Sequence, residues 1–128
     1  MGKSVGFYDH HKGYATFPVA KTFRERGITV STGDCLCNYP HEQLPDIVVI
    51  NPLYAPGSCW EKVRSSIENH PSTRFYVLIA SLIRGTSEEV RSGIGSHPNL
   101  IYMVAPSGNG NDYNETMQSL LEELAAER

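Results

Sequence analysis

Side chains that can do chemistry stand where apolar runs of this sequence end. They are Asp9, His10 and His11 after the first run, Asn51 after the third, Ser81 after the fourth, and Ala105 with Pro106 at the close of the fifth. A carboxylate followed by two imidazoles can hold a divalent metal, or the carboxylate can orient an imidazole that is itself a metal ligand. These positions form one site only if the runs are parallel strands that end at the same edge of a sheet.

The apolar runs predict such strands. Five runs recur, over residues 5–8, 28–30, 47–50, 75–80 and 101–105, and the segments between them carry helical signals. Continuous apolarity, strongest in the third and fourth runs, is typical of strands buried on both faces of a parallel sheet. The second run alternates with Thr29, Ser31 and Thr32, which predicts an edge strand.

Short, right-handed connections leave few topologies for such a chain. We predict an α/β fold of the flavodoxin-like, doubly wound kind, with a five-stranded parallel sheet of order 2-1-3-4-5 between two helical layers. In sheets of this kind ligands bind at the carboxyl ends of the strands, beside the switch point between strands one and three. The polar residues named above, from Asp9 to Pro106, are therefore expected around one mouth, where they would form a binding site.

The predicted helices are placed by their ends. Pro18 suits the first turn of a helix that begins near Phe17, and Gly27 ends it. Capping-box spacings occur at Ser58–Glu61 and Thr86–Glu89, and Asn111 or Asp112 can cap the last helix. One face of that last helix is apolar, and its residues are Tyr113, Met117, Leu120, Leu121 and Leu124. The segment 86–95 carries two glycines and little apolar surface, which predicts low local stability.

Size and charge limit the function. The 128 residues, 40% hydrophobic and 20% charged, suit one domain over residues 1–128 with a buried core. The formal charge of −3 comes without a block of Lys or Arg, which argues against nucleic acid as a partner. No signal peptide or long apolar stretch is seen, which argues against secretion and a membrane partner.

The cysteines indicate the compartment. Cys35, Cys37 and Cys59 are an odd number and too few for a disulfide scaffold, so we expect reduced thiols and a cytoplasmic location. Cys35-Leu36-Cys37 with His41 has none of the usual ligand spacings of a metal site. We therefore predict no metal there and no cofactor.

Taken together, the residues of the predicted mouth resemble those of response-regulator receiver domains. In that family acidic residues after the first strand hold Mg²⁺, an Asp after the third accepts phosphate, and a Ser or Thr and a Lys-Pro contact it. Here Asp9 matches a metal-binding acid, Asn51 the acceptor, Ser81 the hydroxyl, and Ala105-Pro106 the Lys-Pro. The resemblance also implies that Tyr102, three residues before Ala105, is the switch aromatic.

The same resemblance implies that the chemistry is lost. An amide at Asn51 is not the nucleophile that a carboxylate is, and Ala105 supplies no cation to balance phosphoryl charge. His10 replaces a usual acid and weakens a magnesium site. The chain is thus similar to pseudo-receivers, which implies a non-enzymatic signalling module that docks a protein partner, with its oligomeric state open.

Two alternatives use Asp9-His10-His11 differently. The triplet resembles that of the DHH phosphoesterases, which bind Mn²⁺, although the further Asp-rich motifs of that family are missing. It also resembles the cobalamin-binding domains, whose Asp-x-His-x-x-Gly supplies a cobalt ligand; there His11 would be the ligand and Asp9 would orient it. That family's Gly-Gly after strand four is replaced by Ala80-Ser81. A cofactor carrier is therefore the main alternative to a docking module.

Overall fold

A computed structural model describes residues 3–9, 16–33, 44–52, 57–80, 86–105 and 111–126. The strands are β1 (Val5–Asp9), β2 (Val30–Gly33), β3 (Ile47–Asn51), β4 (Arg74–Ala80), β5 (Leu100–Ala105) and β6 (Asn111–Asp112). The helices are α1 (Phe17–Glu25), α2 (Gly57–Asn69), α3 (Thr86–Ile94) and α4 (Tyr113–Ala126). Each of these four helices is too short or too polar to cross a membrane.

The strands form one sheet in the order β2-β1-β3-β4-β5-β6. Every pairing between neighbours is parallel, so the predicted order 2-1-3-4-5 and the doubly wound α/β fold are confirmed. The two-residue β6 was not predicted; it extends the sheet beside Met103 and Val104 of β5. β2 is the opposite edge, as its alternating pattern indicates, because it pairs with β1 alone among the described strands.

Each face of the sheet has its own core. Ile47 and Val49 lie on the face covered by α1 and α4, where Phe7 meets Phe23 edge-on with ring centroids 5.2 Å apart. Val48 and Ile50 lie on the other face, under α2 and α3. All five residues of β3 are buried, which is why this strand reads as continuously apolar.

The ends of α1 and α4 follow the sequence signals. Pro18 stands in the first turn of α1, and Gly27 has a φ of 81°, a left-handed conformation that glycine adopts without strain. The amide of Gly27 donates to the carbonyl of Arg24 and that of Ile28 to Phe23, which is the pairing of a Schellman cap. Asp112 caps α4 by accepting the amide of Glu115 at 3.0 Å.

The predicted apolar face of α4 is confirmed, since its five residues are the buried ones of that helix. The two predicted capping boxes are not confirmed. Ser58 is the second residue of α2 and Thr86 the first of α3, so neither precedes its helix as a capping box requires. The capping-box spacing alone therefore predicts a start for α2 and for α3 that lies one or two residues after the observed start.

Cys59 is buried and disulfide-bonded. The expectation of three reduced thiols is therefore wrong for Cys59. The other two cysteines of the chain, Cys35 and Cys37, lie outside the described residues, as does His41. An odd number of cysteines excludes a fully paired scaffold, but it does not show which sulfurs the fold brings together.

Candidate functional site

Asp9 and Asn51 meet at the switch point of the sheet. They are the last residues of β1 and β3, and the parallel register pairs them directly. The side-chain amide nitrogen of Asn51 donates to Oδ1 of Asp9 at 3.1 Å. Both side chains are buried, with 0% of Asp9 and 3% of Asn51 exposed. Asp9 and Asn51 are thus hydrogen-bonded neighbours at the carboxyl edge of the sheet, and their membership of a binding site stays a prediction.

Thr16 also donates to the carboxylate of Asp9. Its backbone amide donates to Oδ2 of Asp9 at 3.1 Å, and its hydroxyl lies 3.3 Å from the same oxygen. Thr16 precedes α1 and accepts the amide of Ala20 through its carbonyl, yet its side chain makes no hydrogen bond to the helix. The hydroxyl that would ordinarily cap α1 serves the buried charge of Asp9 instead.

Tyr113 brings α4 to the site. It is the first residue of α4 and is 7% exposed. Burial raises the pKa of its phenol, and the negative charge of Asp9 raises that pKa further. The start of α4 thus lies close enough to Asp9 for the phenol and the carboxylate to interact electrostatically. The sequence marks Tyr113 only as part of an apolar helix face, and it gives no sign of the role of Thr16 beyond a helix-start threonine.

The described residues do not fit the magnesium site that a receiver fold implies. Mg²⁺ needs several oxygen ligands in a near-octahedral arrangement. Asp9 is a single carboxylate whose two oxygens already accept hydrogen bonds, and Asn51 turns its nitrogen, not its oxygen, towards it. A hydrogen-bonded network of Asp9, Asn51 and Thr16 occupies the switch point instead. We name it the Asp9 network.

Tyr102 lies on β5, on the face covered by α2 and α3, and is partly buried there. Its hydroxyl donates to the carbonyl of Gly95, directly after α3, at 2.5 Å. The guanidinium carbon of Arg91 stands 4.7 Å from the ring centroid, within range of a cation–π contact. Burial raises the pKa of Tyr102, and the charge of Arg91 partly opposes this. The predicted switch aromatic is thus tied to the end of α3.

The remaining predicted site residues are less fully defined. Ala105 is the last residue of β5 and pairs with Ala80 of β4, which places its backbone at the carboxyl edge of the sheet. His10, His11, Ser81 and Pro106 lie outside the described residues. Their membership of the site stays a prediction.

The sheet order and the helices on both faces are those of a receiver-like fold. The structure resembles the BeF₃-activated DrrB receiver domain, with a TM-score of 0.62, 16% sequence identity, and all of both chains covered. It also resembles CheY4 of Vibrio cholerae, with a TM-score of 0.59 and 15% identity over 97% of this chain and 99% of that one.

A third similar structure is the co-crystal of the Saccharomyces cerevisiae histidine phosphotransfer protein Ypd1 with the receiver domain of its downstream response regulator Ssk1. The TM-score is 0.58 and the identity 8%, over 98% of this chain and 90% of that one. At these identities the likeness is one of fold. No protein-family model and no curated protein sequence matches the chain.

Proposed function

We propose that this chain is a receiver-like signalling module that cannot be phosphorylated and that works by docking a protein partner. The hydrogen bond from the Asn51 amide to Asp9 carries the proposal. A phosphoryl acceptor must be a nucleophile, and an amide nitrogen has no free electron pair to attack with. Here the amide also stabilises the buried carboxylate of Asp9. The residue at the acceptor position thus donates a hydrogen bond where a receiver has its nucleophile.

The proposed docking surface is the one formed by α3 and β5. Arg91 is exposed on α3 and stacks on Tyr102, whose hydroxyl is held by Gly95. Arg and Tyr are the residue types most enriched among side chains that dominate binding energy, and a pre-ordered pair loses less entropy on binding. The likeness to a receiver domain crystallised with its partner protein supports this role.

The proposal extends to the chain as a whole. Residues 1–128 act as one domain. It works in the cytoplasm, where partners of signalling modules are found, and it binds neither a cofactor nor nucleic acid. A cobalamin carrier is the rival, and in it Asp9 would orient His11. In the structure the carboxylate of Asp9 is directed to Asn51 and Thr16. This favours a structural role for Asp9.

Native mass spectrometry of the protein purified from its source, together with its absorbance spectrum, tests the proposal. We expect a bound polypeptide and no corrinoid band. Arg91→Ala should weaken that complex about tenfold or more, as for a central interface arginine. Lys21→Ala, on the exposed side of α1, should leave it unchanged. A corrinoid spectrum, or equal binding by both variants, would contradict the proposal.

A further inference from the structure

We propose that the outer edge of β2 is a docking site for an extended acidic segment of a partner protein, which adds to the sheet as a further strand. This goes beyond the proposed function, because β2 and the α3–β5 surface lie at opposite sides of the sheet. The inference starts from the outward backbone groups of β2 and from a guanidinium group beside them.

The register of the sheet decides which backbone groups of β2 face outward. Val5 of β1 pairs with Val30, and its amide donates to the carbonyl of Thr29 at 3.0 Å. In a parallel ladder, alternate residues of a strand direct their amides and carbonyls to the same neighbour. The residues on either side of Val30 therefore bond to β1, whereas Val30 and Thr32 direct their amides and carbonyls away from the sheet.

β2 lacks the features that usually protect such an edge. Natural sheets protect an exposed edge with a very short strand, a proline or a charged side chain on the strand. The opposite edge has the first of these, since β6 is two residues long. β2 has four residues, Val-Ser-Thr-Gly, and its Ser31 and Thr32 are exposed. Its outward amides and carbonyls are therefore accessible to an added strand, and main-chain hydrogen bonds supply the affinity in that mode of recognition.

Arg24 determines the charge at this edge. Among the described residues, it is the partner that the structure shows for the outward groups, since its guanidinium donates to the carbonyl of Val30 at 3.4 Å. Arg26 is also exposed, and Glu25 stands between the two arginines. This segment is thus positive on a chain whose formal charge is −3. An aspartate or glutamate on an added strand would form a charge-assisted hydrogen bond with Arg24 where it already lies.

The same guanidinium argues against a second copy of the chain as the occupant. Two β2 strands could pair antiparallel about a two-fold axis, with Val30 of one copy opposite Thr32 of the other. The two Val30 residues would then be diagonal neighbours, about 7–8 Å apart. Each has Arg24 on its carbonyl, so the pairing would bring two positive charges together. A strand that carries a carboxylate there is attracted instead.

Fluorescence anisotropy with a labelled heptapeptide that alternates valine and glutamate tests the proposal. We expect saturable binding to the full chain. The same peptide with two consecutive amides N-methylated, which blocks both of its edges, should bind about tenfold more weakly, because main-chain hydrogen bonds are lost.

Thr32→Pro tests the edge from the side of the protein. It removes an outward amide, and its ring obstructs an added strand, whereas an edge position whose amide faces solvent tolerates proline. Peptide affinity should fall about tenfold. Thr32→Val is the matched control, because it keeps the amide and the branched shape, and it should bind as the wild type does. Circular dichroism checks that both variants fold; should Thr32→Pro fail to fold, the N-methylated peptide decides alone.

Arg24→Glu tests the charge. It should weaken binding of the glutamate peptide about tenfold and strengthen binding of a matched valine–lysine peptide. The proposal would be overturned by the absence of saturable binding, by equal binding of the N-methylated peptide, or by full affinity in a folded Thr32→Pro protein. So would a wild-type dimer in sedimentation that Thr32→Pro dissociates, since β2 would then pair with itself.

Discussion

At the scale of residues, the Asp9 network shows how one atom type decides the chemistry of a site. The side chains of asparagine and aspartate have the same shape. At position 51 the amide donates a hydrogen bond to Asp9, whereas a carboxylate would repel the charge of Asp9. The donor nitrogen of Asn51 is 3.1 Å from Oδ1 of Asp9, and Thr16 supplies two donors to Oδ2. At least three donors therefore face one buried charge, which is the condition under which such a charge is tolerated.

Asn51→Asp should destabilise the protein by about 2–4 kcal/mol at pH 7, because it replaces a donor with a second buried charge. One of the two carboxyls would then hold its proton to higher pH in the folded state than in the unfolded state. The loss should shrink as the pH falls, since the proton then removes the repulsion. Urea unfolding at pH 7 and pH 5 measures both effects.

Asn51→Leu is the matched control for that substitution, because it removes the donor without adding a charge. Its destabilisation should depend less steeply on pH between 5 and 7 than that of Asn51→Asp, because Asp9 loses one donor but meets no second charge. Equal pH profiles for the two variants would show that residue 51 does not face the charge of Asp9.

Tyr113 provides a second test at this scale. Its raised pKa, caused by burial and then by Asp9, means that the folded protein keeps a proton that the unfolded chain loses above pH about 10. The stability from this proton is complete below the unfolded pKa and is lost as the pH rises through the folded one. Tyr113→Phe should therefore flatten the fall in the free energy of unfolding between pH 9 and 11. An unchanged slope would mean that folding does not raise the pKa of this phenol.

At the scale of elements, the close approach of α2 and α3 rests on a residue that looks unfavourable in the sequence. Gly93 interrupts α3 and weakens its helical signal. In the structure, a methyl group added there would stand 2.7 Å from the ring of Trp60, so the glycine makes room for that ring. Helix propensity counts the missing side chain of Gly93 as unfavourable. It does not include the packing between two helices, which depends on the tertiary structure.

Gly93→Ala tests this packing. The alanine gains about 1 kcal/mol of helix propensity, but overpacking against Trp60 costs about 1–3 kcal/mol, so we expect net destabilisation. Trp60 is the chain's one tryptophan, and its fluorescence should shift as the ring moves. Ser92→Ala, at an exposed position of the same helix, should leave the spectrum unchanged. A stabilised Gly93→Ala variant would mean that the two helices do not press together there.

At the scale of the whole molecule, the hydrophobic pattern of the sequence predicts the fold well, because strands of a parallel sheet that is covered on both faces must be apolar on both faces. Continuous apolar runs identified the central strands, and Pro18, Gly27 and Asp112 marked helix ends through local geometry. The switch point then brought Asp9 beside Asn51 without further information. Topology alone suffices for that pair.

The parts that the sequence did not predict depend on contacts between distant segments. Thr16 is a residue type that commonly caps helices. Its hydroxyl contacts Asp9 instead, and this contact follows from the placement of α1 on the sheet. The hydroxyl contact of Tyr102 with Gly95 likewise joins two elements that no periodicity relates. Local patterns do not encode such contacts.

Intact mass after treatment with acetyl phosphate and Mg²⁺ tests the central claim most directly, with an active receiver domain as the positive control. We predict that the control gains a phosphoryl group while this protein keeps its mass, because Asn51 has no nucleophilic oxygen and donates to Asp9 instead. A phosphoryl group acquired by the unmodified protein, and lost on hydrolysis as an acyl phosphate is, would contradict it.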